Sequence, residues 1–287
     1  MIQVGLTGWR DHPDLYPGGV QQNDKLQIYG SFFPTVEIDS AYYAILPHKN
    51  YQKWVNETPD RFRFVVKAYK GMTGQSNDNL PFASLDEMFT LYRESIQPLI
   101  DSGKLAMVLC QFPPWFDCQK DHIEKLRYFK RKLYDVPVAI EFRHQSWFTS
   151  EYRARTIDFL NRLGFIHTVC DEPQAGVGSV PIIPEVTSSK AALIRLHGRN
   201  VQGWQKETSG EEWRAVRYLY NYGEDELTEW VQYAEKLQKA CEDVYVIFNN
   251  NSGRHAAANA QTFMRLADLN YKGLAPQQLS LFNWDGW

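Results

Sequence analysis

The sequence lacks the features that mark membrane-spanning, disulfide-rich or nucleic-acid-coating proteins. It has only four cysteines in 287 residues, with no C-x-x-C spacing among them, which excludes a disulfide scaffold. No apolar run approaches the roughly 18 residues that a membrane-spanning helix needs, so we expect no membrane partner. The charges nearly cancel, with 31 Lys+Arg against 34 Asp+Glu and a formal net charge of −3. That balance argues against binding nucleic acid through a bulk positive field.

The first residues carry no targeting signal that we can recognise. The segment 1–9 has no basic stretch leading into an apolar one, and it has the pattern of a strand. We therefore expect no cleaved signal peptide. Together with the isolated cysteines, which are typical of reduced buried thiols, this predicts a cytoplasmic protein.

Aromatic residues, by contrast, are abundant. Nine Trp, 16 Tyr and 16 Phe supply enough apolar surface for a large core, which argues against disorder. There is no internal repeat, no low-complexity tract and no linker that would divide the chain. We therefore predict a single domain over residues 1–287, with the apolar tail 274–287 packing on it. The alternative for the tail is a subunit contact, and the oligomeric state stays open.

Apolar, β-branched or aromatic runs recur eight times along the chain, with turn or helix signals between them. Their centres are separated by about 35 residues on average, which is the length of one strand, one helix and two loops. This predicts a TIM-barrel-like (β/α)₈ fold of the α/β class. The eight predicted strands cover residues 2–7, 36–42, 62–69, 105–112, 138–143, 165–170, 192–197 and 244–249.

Most of the intervening segments show helical periodicity. Ser84 and Glu87 form a capping-box pattern at the start of one helix that is predicted to run to Gly103. Other helices are predicted over 121–133, 151–163, 225–241 and 256–269. Residues 172–190 hold three prolines and two glycines. They predict an irregular crossover where the sixth helix of a regular barrel would lie.

Polar residues are concentrated near the carboxyl ends of the predicted strands, where barrel active sites are built. Strand alternation places them on one face of each strand and a fully apolar set on the other, which would pack against the helices. Burying so many charges is costly unless they serve a function or form a self-satisfied ion-pair network that fixes strand register. The predicted interior set is Glu37, Asp39, Lys67, Glu141, Arg143, Arg195, His197 and Asn249.

The same stretches resemble the YecE-like family, domain of unknown function 72, and they occur in order over nearly the whole chain. That resemblance implies a TIM-barrel-like fold and no established activity. Two positions differ from the commoner form of the family, with Asp39 where Asn is usual and Asn251 where His is more frequent. The motifs are Val4-Gly5-Leu6-Thr7-Gly8-Trp9, Val36-Glu37-Ile38-Asp39-Ser40-Ala41-Tyr42-Tyr43, Phe64-Val65-Val66-Lys67-Ala68, Gln111-Phe112-Pro113-Pro114, Ile140-Glu141-Phe142-Arg143-His144 with Ser146-Trp147, Arg195-Leu196-His197-Gly198 and Phe248-Asn249-Asn250-Asn251.

A metal site and a glycosidase site fit this polar set less well than an anion-binding site does. Divalent metal sites need carboxylates and imidazoles with little positive charge nearby, and here three basic residues balance three acids, so we expect no metal and no cofactor. A metal-dependent phosphodiesterase or nuclease loses support with the metal. A glycosidase would need a carboxylic acid able to donate a proton, and an acid paired to Arg or Lys has a lowered pKa.

An anionic small molecule fits best, because Arg and Lys recognise phosphate and carboxylate groups. We hypothesise a metal-independent enzyme acting on a phosphorylated or carboxylated metabolite. Arg143, Arg195 and Lys67 would bind the ligand. His197, with a pKa near neutrality, would move a proton together with Glu37 or Glu141. The other candidate ligand-binding residues are Asp39, Asn249, Trp9, Tyr42 and Trp147.

The loops after the seventh and eighth strands carry glycines and basic residues, at 198–200 and 252–255. This position is the usual phosphate site of the architecture, although the glycines are equally explained by ordinary strand-to-helix turns. The competing class of function is a non-catalytic barrel that binds a ligand or a nucleic acid end. The basic residues 130–132 lie among acidic neighbours, so a nucleic-acid patch is not favoured there.

Overall fold

The computed structural model describes residues 1–16, 18, 20–76, 80–205 and 216–276. Eight parallel strands form a closed barrel in chain order, with β8 paired to β1. This confirms the predicted TIM-barrel-like fold. The strands are β1 (Ile2–Thr7), β2 (Thr35–Ile38), β3 (Arg63–Lys67), β4 (Leu105–Gln111), β5 (Val138–Glu141), β6 (Ile166–Asp171), β7 (Ala191–Leu196) and β8 (Asp243–Phe248).

Helices lie between most of the strands. They are α1 (Lys25–Tyr29), α2 (His48–Asn56), α3 (Lys70–Thr73), α4 (Leu85–Asp101), α5 (Lys120–Lys132), α6 (Arg153–Leu163), α7 (Val201–Gln205), α8 (Glu224–Gln238) and α9 (His255–Leu266). Residues 172–190, between β6 and β7, contain no helix. The predicted irregular crossover is therefore confirmed, because its prolines and glycines prevent a regular hydrogen-bond ladder.

The capping signals act where the sequence places them. The Ser84 hydroxyl accepts a hydrogen bond from the Glu87 backbone N–H at 3.1 Å, which begins α4. At the carboxyl end of α6, Gly164 adopts φ 65°, the left-handed conformation that glycine tolerates without strain. These local signals fix where the helices begin and end.

Three strands end at least two residues earlier than predicted, and one of them is β3, which stops at Lys67 where a strand to residue 69 was expected. β2 stops at Ile38, and a 3₁₀ helix follows at Ser40–Tyr42, whereas a strand over 36–42 was expected. β5 stops at Glu141, although a strand to residue 143 was expected. The chain leaves the barrel wall at Asp39 after β2 and at Glu141 in β5, so the residues that follow these two strands lie above the barrel.

The interior and exterior faces of the strands carry different side chains. The barrel interior holds a compact apolar cluster: Val65, Ala106, Met107, Leu109, Ala139, Ile166, Ala191, Leu193, Tyr245 and Ile247. The outward set, which includes Val36, Ile140 and Ile194, belongs to the larger core against the helices. Strand alternation predicted this division, because successive side chains point to opposite faces.

Several smaller expectations concern the cysteines, the membrane and the tail. All four cysteines are free thiols, and Cys110 and Cys170 are buried within β4 and β6. None of the described helices combines the length and hydropathy needed to cross a membrane. Ala275 donates a backbone hydrogen bond to the Gly30 carbonyl at 2.9 Å. The rest of the tail, 277–287, lies outside the described residues.

Candidate functional site

A chain of five alternating charges crosses the barrel interior at its carboxyl end. Arg195 on β7 donates two hydrogen bonds to Glu37 on β2. Its Nε lies 2.9 Å from Oε2, and its Nη2 lies 2.7 Å from Oε1. Its Nη1 donates to Glu141 Oε2 at 2.7 Å. Arg143 donates from Nε to the other Glu141 oxygen at 2.7 Å, and its Nη1 pairs with Glu172. We call Glu37, Arg195, Glu141, Arg143 and Glu172 the charge chain.

All five members of the charge chain are buried, with side chains no more than 2% exposed. Burial raises the pKa of Glu37, although Arg195 and Lys67 partly oppose that effect. Burial would also raise the pKa of Glu141, but Arg143 and Arg195 outweigh it and hold that pKa well below its ordinary value. Glu141 is therefore the permanent anion at the centre of the chain, held between two guanidinium groups.

His197 lies beside the charge chain with no exposed surface. Arg143 Nη2 lies 3.0 Å from its Nε2, and the amide of Asn249 lies 2.8 Å from its Nδ1. Burial lowers the pKa of His197 well below its ordinary value, and Arg143 and Arg195 lower it further. The imidazole is thus neutral at physiological pH. The expectation of a pKa near neutrality is not met, because the ring is fully buried and two cations face it.

Glu172 is a buried carboxylic acid of the charge chain whose pKa is raised to near neutrality. Its Oε1 accepts the Val180 backbone N–H at 2.7 Å, and its Oε2 pairs with Arg143. Burial raises its pKa to about 7, although Arg143 opposes that rise. The sequence reasoning missed this residue because it follows directly after β6, inside the irregular crossover. Its even spacing from Cys170, on the same face of the strand, was the signal that could have found it.

A cleft of about 570 Å³ opens above the charge chain. Of the charge chain, only Arg143 lines it. Lys67 and Arg217 add two further cations, and the carboxylates lining the cleft are Asp11 and Asp39. Lys67 Nζ donates to Asp39 at 3.1 Å and lies 4.7 Å from the Tyr42 ring centre. The other lining residues are Thr7, Tyr42, Tyr43, Gln75, Gln111, Phe112, Pro113, Pro114, Tyr218, Asn249, Asn251 and Ser252.

Aromatic residues hold the cations at one side of this cleft. The Arg217 guanidinium lies 4.0 Å from the ring centre of Trp204, on α7, and the Arg143 guanidinium lies 5.2 Å from the same ring. Tyr218 packs 6.0 Å from His197 and 5.5 Å from Arg217. Cation–π contacts of this kind help to position guanidinium groups. Sequence patterning gave no sign of Arg217, Tyr218 or Trp204, since they follow no strand.

The structure brings most of the predicted site residues together at the barrel mouth, in two layers. Lys67, Asp39, Arg143, Asn249 and Tyr42 line the cleft. The remaining four lie beneath it and are fully or almost fully buried. They are Glu37, Glu141, Arg195 and His197.

Two predicted tryptophans lie apart from this cleft. Trp147 is 1% exposed and stacks 4.1 Å from Phe142 on the outer side of the barrel wall, with its ring N–H donating to the Phe116 carbonyl at 2.8 Å. The structure therefore places Trp147 in the core, because it follows the outward face of β5. Trp9 lines a neighbouring cleft and packs edge-on against Trp54 at 5.1 Å.

Only some residues of the two loops predicted to bind phosphate lie at the cleft. Arg199 donates to Asp171 at 2.9 Å and to Glu226 at 3.1 Å, so its guanidinium is directed to the β6 and α8 side. Gly198 adopts φ 86°, and a Cβ there would lie 2.4 Å from Tyr220, which explains the glycine without a ligand. Ser252 does line the cleft.

One trio of possible metal ligands lies in the interior. Ligand atoms of Glu141, Cys170 and His197 lie within 4.8 Å of one another. Arg143 and Arg195 already donate to the same glutamate and approach His197 Nε2. Burial also raises the pKa of the Cys170 thiol, so it stays protonated. Two fixed cations and a neutral thiol do not suit a divalent ion.

Comparison with known proteins identifies the family. Residues 3–280 match the family model described as Protein of unknown function DUF72. The chain belongs to this family. UPF0759 protein YunF of Bacillus subtilis (strain 168) is 51% identical over 282 residues, covering 98% of this chain and all of YunF. The predicted resemblance is therefore confirmed.

Solved structures of family members share the fold. A DUF72 protein of Enterococcus faecalis V583 is 38% identical and superposes with a TM-score of 0.91, over 97% of this chain and all of that one. A DUF72 protein of Thermotoga maritima MSB8 is 30% identical, with a TM-score of 0.79 over 94% of this chain and all of that one. Their descriptions, like that of the family, state no activity.

Proposed function

We propose that this DUF72 barrel binds a small molecule carrying a phosphate or carboxylate group at its carboxyl-terminal mouth and acts on it without a metal ion. The observation that carries the proposal is the charge of the cleft. Among the described residues, three cationic side chains, Lys67, Arg143 and Arg217, line it together with two carboxylates, Asp11 and Asp39. A concave site with converging polar groups and perturbed pKa values beneath it is the default binding site of a protein.

The two layers have different roles in this proposal. Lys67, Arg143 and Arg217 contact the anion, and Asn249 and Tyr42 help to orient it. Beneath them, Glu37, Arg195 and Glu141 are positioning residues: Glu141 holds Arg143 at 2.7 Å, and Arg195 fixes Glu141 in turn. A preorganised guanidinium loses less entropy on binding than a free one.

A non-catalytic binding barrel is the second candidate, and one observation favours it. The three residues expected to catalyse, Glu37, Glu141 and His197, have no exposed side-chain surface. A group that transfers a proton must come within hydrogen-bond reach of the reacting atom. If the protein is an enzyme, the proton must therefore move through cleft-lining groups such as Asp39 or Tyr218, with the buried layer acting on them indirectly.

Calorimetric titration with inorganic phosphate and with citrate tests the proposal. In Lys67→Met we expect binding of both probes to weaken about 10–100-fold, because one charge-assisted contact is lost. Lys190→Met is the matched control. It also removes a lysine from an ion pair, with Glu242 at 2.5 Å, but at the opposite end of the barrel. Unchanged affinity in Lys67→Met, or no binding of either anion by the wild type, would overturn the proposal.

The catalytic part is tested separately, with EDTA-treated protein. We expect at least one phosphorylated or carboxylated metabolite in a panel to be converted, at a rate that EDTA leaves unchanged. Binding without any product would support the second candidate. A rate that appears only on adding a divalent metal would contradict the metal-independent mechanism.

A further inference from the structure

A second cleft, of about 360 Å³, adjoins the cationic one. The two share five lining residues, so they adjoin one another. The shared residues are Thr7, Asp11, Asp39, Tyr43 and Asn251. Beyond them the second cleft is lined by Gly8, Trp9, Arg10, Ser40, Leu46, Asn50 and Trp54.

The junction between the clefts holds buried polar atoms without partners. Thr7 is 5% exposed, and its hydroxyl has no hydrogen-bond partner among the described residues. The side-chain oxygen of Asn251 is likewise buried and unpartnered within the same part of the chain. Buried polar groups are nearly always hydrogen-bonded in native proteins. Both residues line the two clefts where they meet.

One aromatic ring is open at the same junction. Tyr43 is 52% exposed and is held edge-on by Tyr42 at 5.0 Å. Trp9 and Trp54 form the wall of the second cleft but are only 6% and 8% exposed. Among the described residues that line the second cleft, Tyr43 is therefore the most exposed aromatic side chain.

The polar lining of the second cleft is rich in hydrogen-bond acceptors. Asp11 and Asp39 are acceptor-only when ionised, and Ser40, Asn50 and Asn251 can accept as well as donate. A ligand with many O–H donors satisfies such a set, whereas a nucleobase offers few donors. Hydroxyl groups on a ring whose C–H face can pack on Tyr43 match the lining best.

We propose that the two clefts form one site for a phosphorylated sugar. The phosphate contacts Lys67, Arg143 and Arg217, and the sugar hydroxyls bind the acceptors of the second cleft. The inference rests on the proposed function, since it assigns the anion of that function to the phosphate of a sugar. It adds the chemical class of the group that the anion carries.

The test compares affinities of the wild-type protein by calorimetry. The probes are inorganic phosphate, glucose, AMP and a set of sugar phosphates from glyceraldehyde 3-phosphate to glucose 6-phosphate. We expect at least one sugar phosphate to bind about tenfold or more tightly than inorganic phosphate, because it adds several hydrogen bonds to the second cleft. If none does while phosphate binds, the sugar inference fails and the proposed function stands. If no anion binds, the proposed function fails.

Variants locate the sugar in the second cleft. Tyr43→Leu should weaken the best sugar phosphate about fivefold or more and leave the affinity for inorganic phosphate unchanged, because only the sugar reaches Tyr43. Tyr134→Leu removes a similarly exposed tyrosine, 65% exposed, before β5 and outside both clefts, and should change neither affinity. Equal weakening of both ligands in Tyr43→Leu, or AMP binding more tightly than every sugar phosphate, would overturn the inference.

Discussion

The inward-facing positions of β7 show how the two halves of the barrel interior differ. Ala191 and Leu193 belong to the apolar cluster, and Arg195, the next inward position, is a fully buried guanidinium. The same change occurs on β5, where Ala139 is apolar and Glu141 is charged. One interior thus contains an apolar layer and, above it, an ionic one.

The ionic layer is the departure from the usual interior of such a barrel. The apolar layer fills the interior with well-packed side chains, as barrels of this size do throughout their length. A layer of ion pairs is often no more stable than an apolar layer of the same volume. The ionic layer lies only at the carboxyl end, directly beneath the cationic cleft, so its position agrees with a role in supporting Arg143 and Lys67.

Removing Arg195 should be the most damaging change to this arrangement. Arg195→Met leaves Glu37 and one oxygen of Glu141 buried without their guanidinium partner. Breaking a buried pair in this way costs about 3–5 kcal/mol of unfolding free energy. Urea denaturation monitored by tryptophan fluorescence measures it. A loss below about 1 kcal/mol would mean that the two carboxylates become hydrated or protonated at little cost in free energy. The ion pairs of this layer would then not depend strongly on one another.

A second substitution separates charge from packing. Glu37→Leu combined with Arg195→Met removes both partners of the forked ion pair. We expect the double variant to be more stable than Arg195→Met alone, because no unpaired carboxylate remains on β2. A double variant that is less stable than the single one would show that Glu37 has other essential contacts.

The pH dependence of stability should separate Glu172 from the rest of the ionic layer. Its pKa in the folded protein is about 7, above the ordinary value of 4.5. The folded state therefore binds its proton more tightly, and the stability that this contributes is lost as the pH rises from about 4.5 to 7. In Glu172→Gln, which resembles the protonated acid, this loss is absent. The wild type should lose about 3 kcal/mol relative to the variant between pH 4.5 and 8.

The difference between the two proteins isolates Glu172, since His197 contributes equally to both curves. Denaturation midpoints at intervals of half a pH unit measure it. Glu151→Gln, which removes a carboxylate that is 65% exposed, is the surface control. A constant difference between wild type and Glu172→Gln over the whole range would show that Glu172 does not change its protonation between these pH values.

The sequence was sufficient for the fold and for most of the ionic layer, because both depend on local periodicity. Alternation along β7 alone places Arg195 and His197 inward and Leu196 outward, as observed. What it could not supply is the relation between distant segments. Arg217 reaches the cleft through its contact with Trp204, and no pattern in the sequence links the two residues.

The same limit applies to electrostatics. A histidine at a barrel mouth is reasonably expected to titrate near neutrality, but two guanidinium groups lower the pKa of His197 well below its ordinary value, after burial has already lowered it. The group with a pKa of about 7 is Glu172, whose position depends on the fold of an irregular segment. Periodicity identifies inward faces, whereas the charge state of each side chain depends on which neighbours the closed barrel brings within 3–4 Å.

The smallest effect should come from Leu193→Met, which introduces the same side chain as Arg195→Met two residues earlier on the same face of β7. Leu193 is fully buried in the apolar cluster. Exchanging Leu for Met nearly conserves volume and leaves no polar group unpaired, so the loss should be below about 1.5 kcal/mol. The same urea titration measures both variants. Equal losses of unfolding free energy in the two variants would mean that the packing of methionine, and not the unpaired carboxylates, causes the effect of Arg195→Met. A loss at Leu193 several-fold smaller than at Arg195 would attribute the difference between the layers to charge, because strand, face and introduced residue are the same.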